Sequence, residues 1–258
     1  LLIGNDARPR RAEILQQLAS EVYLYLGFTD KSIDAGMAAC ALWRELGNPV
    51  KEAEAHLDVA FALHWQGQET RSLASIQRAL QCLTHHQDET RLLAKAHSQW
   101  GMAAIIMGDT ATAREHLQRA EELHAQIGGN DPFIDVVTLW SRSWYAFLVG
   151  SAHEMFAYAQ RGAEACRIHH RQGWEPMMTY SAAWASMLQG NILESERIAQ
   201  ETLEKAQKNN AVGAQAWAFL VQTFLAIQAS QWQRAQQCSD NALTIARMLR
   251  DLDLQARI

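Results

Sequence analysis

The feature that most constrains this chain is a spacing. Small turn residues end amphipathic helical stretches at Gly27, Gly67, Gly108, Gly150, Gly190 and Ser230, at intervals of 40, 41, 42, 40 and 40 residues. Self-similarity at a period of roughly 20–50 residues marks repeat architectures, in which each unit buries its apolar face only against its neighbours. Glycine suits the position just past a helix end, where a left-handed backbone is required. Residues able to cap a following helix come next: Thr29 or Asp30, Thr70, Asp109 or Thr110, Ser151 and Asn191.

Aligned on that turn, the sequence shows columns of small residues. Seven positions before it stand Ser20, Ala60, Gly101, Ser143, Ala183 and Thr223. Five after it stand Ser32, Ser72, Ala113, Met155, Ser195 and Ala235, and twelve after it Ala39, Ala79, Ala120, Gly162, Thr202 and Ala242. Small side chains in register on two successive helices let their backbones approach closely, so each unit reads as a helical hairpin. The chain breaks again between hairpins, near Gly47-Asn48, His86, Gly128-Gly129-Asn130, Gly173 and Asn209-Asn210. Pro49, Pro132 and Pro176 fall beside these breaks, at helix starts where a missing N–H costs nothing. Two helices and two turns in about 40 residues predict helices of roughly 14–17 residues.

The pattern Gly-x4-small-x3-apolar-x2-Ala-Leu, complete at Gly67, Ser72, Ile76, Ala79 and Leu80, resembles the tetratricopeptide repeat. Gly101, Gly108, Ala113, Leu117 and Ala120 form a second good copy. The period departs from the standard unit of about 34 residues. HEAT and armadillo units share the longer period, but a proline recurring inside the first helix is absent here. The longer unit is similar to the arrays of large bacterial signalling proteins, among them the maltotriose-responsive, ATP-dependent transcription activators. The resemblance implies an all-α, right-handed α/α superhelix of about six hairpins, running as one array over residues 1–258. It also implies a bacterial regulatory or signal-transduction role, with transcription regulation as the model.

Composition excludes several classes of function. Lys and Arg total 23 against 28 Asp and Glu, a net charge of −5, so the array lacks the positive excess a nucleic-acid surface needs. Arg8, Arg10 and Arg11 form one short basic run and read as a solvated leader. No apolar run approaches the ~20 residues of a membrane helix. The 4 cysteines, Cys40, Cys82, Cys166 and Cys238, lie far apart in helical stretches; as buried free thiols they point to a reducing cytoplasm. His85-His86 and His169-His170 are adjacent pairs that cannot face one ion, and His153-Glu154 lacks the second histidine of HExxH because position 157 is Ala. GxGxxG, GxxxxGK[ST] and GxSxG are all missing. The expectation is a non-enzyme without cofactor or metal.

Aromatic residues mark the candidate site. Six positions before the turn stand Glu21, Phe61, Met102, Trp144, Trp184 and Phe224; ten before it stand Gln17, Leu57, Ser98, Trp140, Tyr180 and Leu220. In tetratricopeptide arrays these offsets face the inside of the superhelix. The resemblance therefore implies a concave groove lined by Phe61, His64, Trp65, Met102, Trp140, Trp144, Phe147, Tyr180, Trp184, Trp217 and Phe224, centred on repeats four and five. Aromatic rings offer large contact area at low entropic cost. Three readings stand open: rings packed on one another as core, a groove for a partner protein or peptide, and a pocket for a small oligosaccharide-like effector. At the far end Met248, Leu249, Leu252 and Leu254 are expected to be exposed, as an open end for further repeats or for self-association. A purely structural scaffold that joins copies of its parent is the alternative function. A first residue other than Met predicts a piece of a longer chain.

Overall fold

The computed structural model describes residues 7–24 and 27–258, with Leu252 and Asp253 in backbone only. Thirteen helices follow one another among the described residues: α1 (Ala7–Gln17), α2 (Thr29–Glu45), α3 (Pro49–His64), α4 (Glu69–Cys82), α5 (Thr90–Ile106), α6 (Thr110–Gln126), α7 (Pro132–Leu148), α8 (Ala152–Ile168), α9 (Glu175–Leu188), α10 (Ile192–Lys208), α11 (Val212–Gln228), α12 (Trp232–Leu249) and α13 (Leu252–Arg257). A π-helical stretch, Leu18–Tyr23, extends α1. No strand occurs among these residues.

The expected turn column lies in the left-handed region throughout: φ is +74° at Gly27, +66° at Gly67, +76° at Gly108, +81° at Gly150, +80° at Gly190 and +57° at Ser230. The small columns explain how each hairpin closes. Ser72 Oγ donates to the Ala60 carbonyl at 2.8 Å, and Ser195 Oγ to the Ala183 carbonyl at 2.7 Å. In repeat four the roles reverse, Ser143 Oγ donating to the Met155 carbonyl at 3.0 Å. In repeat three Gly101 leaves room for Leu117, whose Cδ2 would lie 2.7 Å from an added Cβ. The third column meets the next hairpin: a Cβ on Gly162 would sit 2.3 Å from Met178 Sδ.

Alternate helices differ in their company. Helices α3, α5, α7, α9 and α11 pack on one another as well as on their chain neighbours, whereas the even-numbered helices contact only chain neighbours to a comparable extent. The odd helices therefore form the inner layer of a helical solenoid and the even ones the outer layer. Helix α13 starts 40 residues after α11, in the place of a seventh inner helix.

Three sequence expectations need correction. Leu254 is fully buried, because α13 folds onto the core beside Ala214 and Ala246; Leu249 is half-buried, and Met248 alone of the described three is exposed. The side chain of Leu252 lies outside the described residues. Of the expected caps only Asp109 acts as one, accepting from the Thr112 N–H at 3.0 Å. Thr29, Asp30, Thr70 and Thr110 lie inside their helices, while Ser151 and Asn191 hold cap positions without a side-chain bond. Asn48 and Asp131, at the breaks between hairpins, cap α3 and α7 instead.

Candidate functional site: the interior of the superhelix

The inner helices bring the aromatic residues into two groups. In the first, Trp144 on α7 meets Tyr180 and Trp184 on α9 and Trp217 on α11, with ring centroids 5.9–6.3 Å apart. Tyr180 stacks on Trp217 at 5.2 Å and 13°. Phe147 and Phe224 pack edge-on against Trp184. This group is closely packed. Tyr180 is fully buried, Trp144 and Trp217 are buried, and Trp140 Nε1 donates to the Tyr180 hydroxyl at 3.2 Å. Beside it lies a void of about 30 Å³ that also touches His64, Glu69 and Arg257. Burial holds the Tyr180 hydroxyl well above the ordinary tyrosine range.

The second group crosses the bore. Phe61 on α3 stacks on Trp174, just before α9, at 5.5 Å and 11°. It also meets Phe133 on α7 edge-on at 5.1 Å. His64 and Trp65 lie against Trp140, at 5.5 and 6.5 Å. Met102 is buried with Phe61 and Val137. His64 Nδ1 donates to Glu69 Oε1 at 2.8 Å, an ion-pair geometry buried beneath the rings. Repeat two thus touches repeats four and five directly, and the interior is divided by a partition of Phe61 and Trp174.

Open space remains on both sides of that partition. One chamber, of about 330 Å³, lies between Leu24, Phe61, Trp65, Trp174, Met177 and Leu249, and its polar lining includes Thr29, Asn209 and Asn210. It forms where the two ends of the array meet. Arg250 Nη1 lies 2.5 Å from Asp30 Oδ2, Gln66 Nε2 donates to Asp30 and Thr29 at 2.7 and 3.0 Å, and Leu249 Cδ2 lies 3.0 Å from where a Gly27 Cβ would be. None of the described residues lining this chamber is charged.

The other chamber, of about 350 Å³, is lined by charge of both signs. Lys95 Nζ lies 2.7 Å from Asp58 Oδ1 and 4.8 Å above the Phe133 ring. Arg91 Nε lies 2.6 Å from Asp131 Oδ2, and Lys51 Nζ 2.8 Å from Glu54 Oε2. Burial works against the charged form of Glu54, but Lys51, Lys95 and Arg91 prevail and hold its carboxyl below the usual range. Burial likewise opposes Asp131, and the Ile134 N–H and Arg91 overcome it. Glu13, Glu21 and Arg171, exposed at the mouth, carry no ion pair among the described residues.

Of the eleven aromatic-column residues, Phe61 and Trp65 line the larger open spaces; the rings of repeats four and five pack mainly on one another. Sequence reasoning missed Trp174, Phe133 and Met177. They sit at or near the first turns of inner helices, outside the columns aligned on the hairpin turn. The signal available was the Trp174-x-Pro176 run at a repeat boundary, which places a large ring beside a fixed helix start. Among the described residues no group of three or more His, Cys, Asp or Glu is arranged to hold a metal ion, and no helix is long and apolar enough to cross a membrane.

No family model matches the chain, and no curated protein matches it either. Solved structures do. A Pyrococcus horikoshii Signal Transduction ATPase with Numerous Domains protein with a tetratricopeptide repeat sensor superposes at a TM-score of 0.67 and 14% identity, over 94% of this chain and 35% of its own. This chain therefore spans about a third of that protein's length. The apo form of RapI gives 0.69 and 13%, over 93% of this chain and 85% of its own. A Rap protein complexed with Competence and Sporulation Factor gives 0.68 and 9%, over 96% and 79%. These likenesses show the fold: the chain is a tetratricopeptide-like helical solenoid.

Proposed function

We propose that this chain is a non-catalytic binding module of a regulatory or signal-transduction protein, and that its interior takes an extended segment of a partner protein or a peptide. The observation that carries this reading is the charged chamber beside the Phe61–Trp174 partition. It offers carboxylates and cations within one wall and aromatic faces at its floor. An extended chain presents both charge and apolar side chains, and such a surface meets both. Within this reading Phe61, Phe133 and Trp174 touch the ligand, while Trp140, Trp144, Tyr180 and Trp217 hold the inner helices at the spacing the chamber needs. The similar solved structures, a protein with a tetratricopeptide repeat sensor and a Rap protein complexed with Competence and Sporulation Factor, support the class of role.

The test is selection from a random heptapeptide library, followed by tryptophan-fluorescence titration of the enriched peptides. Binding should fall at least about ten-fold in Arg171→Glu and in Trp174→Ala, a loss of ~1.4 kcal/mol or more, and should be unchanged in Arg234→Ala on the outer layer. Failure to enrich any sequence, or indifference to both interior variants, would count against it. Maltodextrins in the same titration test the effector reading.

The scaffold reading is favoured by a different observation. Leu188, Ile192, Leu193, Ile227 and Trp232 are all exposed along the hairpin-turn edge of repeats five and six, Leu193 at 84% and Trp232 at 66%. Exposed apolar rows of this kind mark contact surfaces. A mass that rises with concentration in light scattering, and falls to monomer in the double variant Leu193→Glu/Trp232→Glu, would establish that role.

A further inference from the structure

The chamber where the two ends of the array meet has a chemistry different from the rest of the interior. We propose that it is a seat for a small, neutral, apolar molecule of two or three rings, separate from the surface assigned above to a partner segment.

Three observations lead there. The first is charge. One residue in five of this chain is charged, yet the chamber wall has none, and eight charged residues stand on the far side of the Phe61–Trp174 partition. A charged ligand would lose hydration on entering without gaining a partner. The second is size. Apolar cavities of about 150 Å³ take up a benzene ring, so about 330 Å³ has room for a two- or three-ring molecule.

The third is the shape of the wall. Trp65 and the Phe61–Trp174 stack offer ring faces and edges, Met177 and Leu249 an adaptable apolar cover. Opposite Trp65 stands Gly213, where an added Cβ would lie 3.8 Å from the Trp65 ring and 3.9 Å from Leu249. That is ordinary contact distance, so a methyl fits there and a larger group would intrude on the chamber. Asn210, exposed in the lining, can bond one polar substituent of the ligand. Because Leu24 and Leu249 belong to opposite ends of the array, the bound molecule touches both and holds the seam shut.

The test is fluorescence titration of the whole chain with N-phenyl-1-naphthylamine, a neutral probe, and with 8-anilinonaphthalene-1-sulfonate, which carries the same rings and one negative charge. The neutral probe should saturate one site and bind at least about ten-fold tighter than the anion. Gly213→Leu should cost about ten-fold or more, and Gly213→Ala less than about three-fold. Leu249→Arg, at a half-exposed position that tolerates a long side chain, puts a cation in the wall and should reverse the preference. Neutral binding that is absent, no tighter than the anion's, or unmoved by both Gly213→Leu and Leu249→Arg would overturn the proposal. Peptide binding in the charged chamber should be indifferent to Gly213→Leu, so the two proposals fail separately.

Discussion

If the Phe61–Trp174 partition ties repeat two to repeats four and five, Phe61→Ala should be expensive for a single ring. Phe61 is 5% exposed and touches Trp174, Phe133, Trp65 and His64. Cutting the side chain to a methyl removes roughly 120 Å² of buried apolar surface, about 3 kcal/mol at ~25 cal/mol per Å². The lost ring pairs add about 1 kcal/mol. Water entering from the chambers on either side fills the gap and offsets part of this. The expected cost is therefore about 3 kcal/mol, the low end for a buried Phe→Ala change. Urea unfolding followed by circular dichroism and tryptophan fluorescence measures it, with Phe28→Ala as control. Phe28 is 49% exposed and should cost less than about 0.5 kcal/mol. A repeat array can unfold in parts, so both probes must move together for the figure to apply. A loss below about 1 kcal/mol, or equal to the control's, would refute the idea that this stack closes the bore.

Four further outcomes follow from the same geometry. Gly101→Ala drives a Cβ to 2.7 Å from Leu117 and should destabilise by about 1–3 kcal/mol in urea unfolding, although alanine is the better helix former. Ser230 holds φ at +57° where the other five hairpin turns have glycine, so Ser230→Gly should stabilise by about 0.5–1 kcal/mol. Burial, helped by His116 and Arg119, pushes the His97 pKa down from 6.5 to about 4. Below pH 6.5 the unfolded chain takes a proton that the folded chain refuses, so stability should fall as pH drops from about 6.5 to 4 by up to ~3 kcal/mol, and His97→Gln should flatten that fall. Burial also pushes the Cys40 and Cys166 thiols up to about 12. At pH 8 neither should react with a disulfide reagent in the folded chain, and both should react in urea.

The hairpin was legible in the sequence because close helix packing demands small residues at fixed offsets. The serines at 72 and 195 and the glycine at 101 announce their contacts by type alone. The position of the inner helices followed too, since the aromatic columns fall on the odd-numbered helices. How tightly the superhelix winds was not legible. It depends on the packing angle between successive hairpins, and small rotations accumulate over six units until repeat two touches repeats four and five. That winding packs Trp144, Tyr180 and Trp217 mainly on one another and leaves the larger open spaces beside Phe61. It also recruits Trp174 and Leu24, which no column contains. The burial of Leu254 has the same origin: its spacing from Ala214 is one repeat, and only the alignment of a seventh inner helix would have revealed it.

The first and last repeats meet, so that the interior is a chamber rather than an open groove. Cross-linking tests it directly. With the half-exposed Cys82 changed to Ser, the pair Asp30→Cys and Arg250→Cys is treated with a bismaleimide of about 8 Å span, a reach of two to three extended residues, and digested for mass analysis. The Asp30 and Arg250 side chains now touch at 2.5 Å, so the two peptides should link rapidly within one molecule in the folded chain and not in urea. Single-site labelling without a link in the folded chain, at both positions, would mean that the ends stand apart and the interior is an open groove.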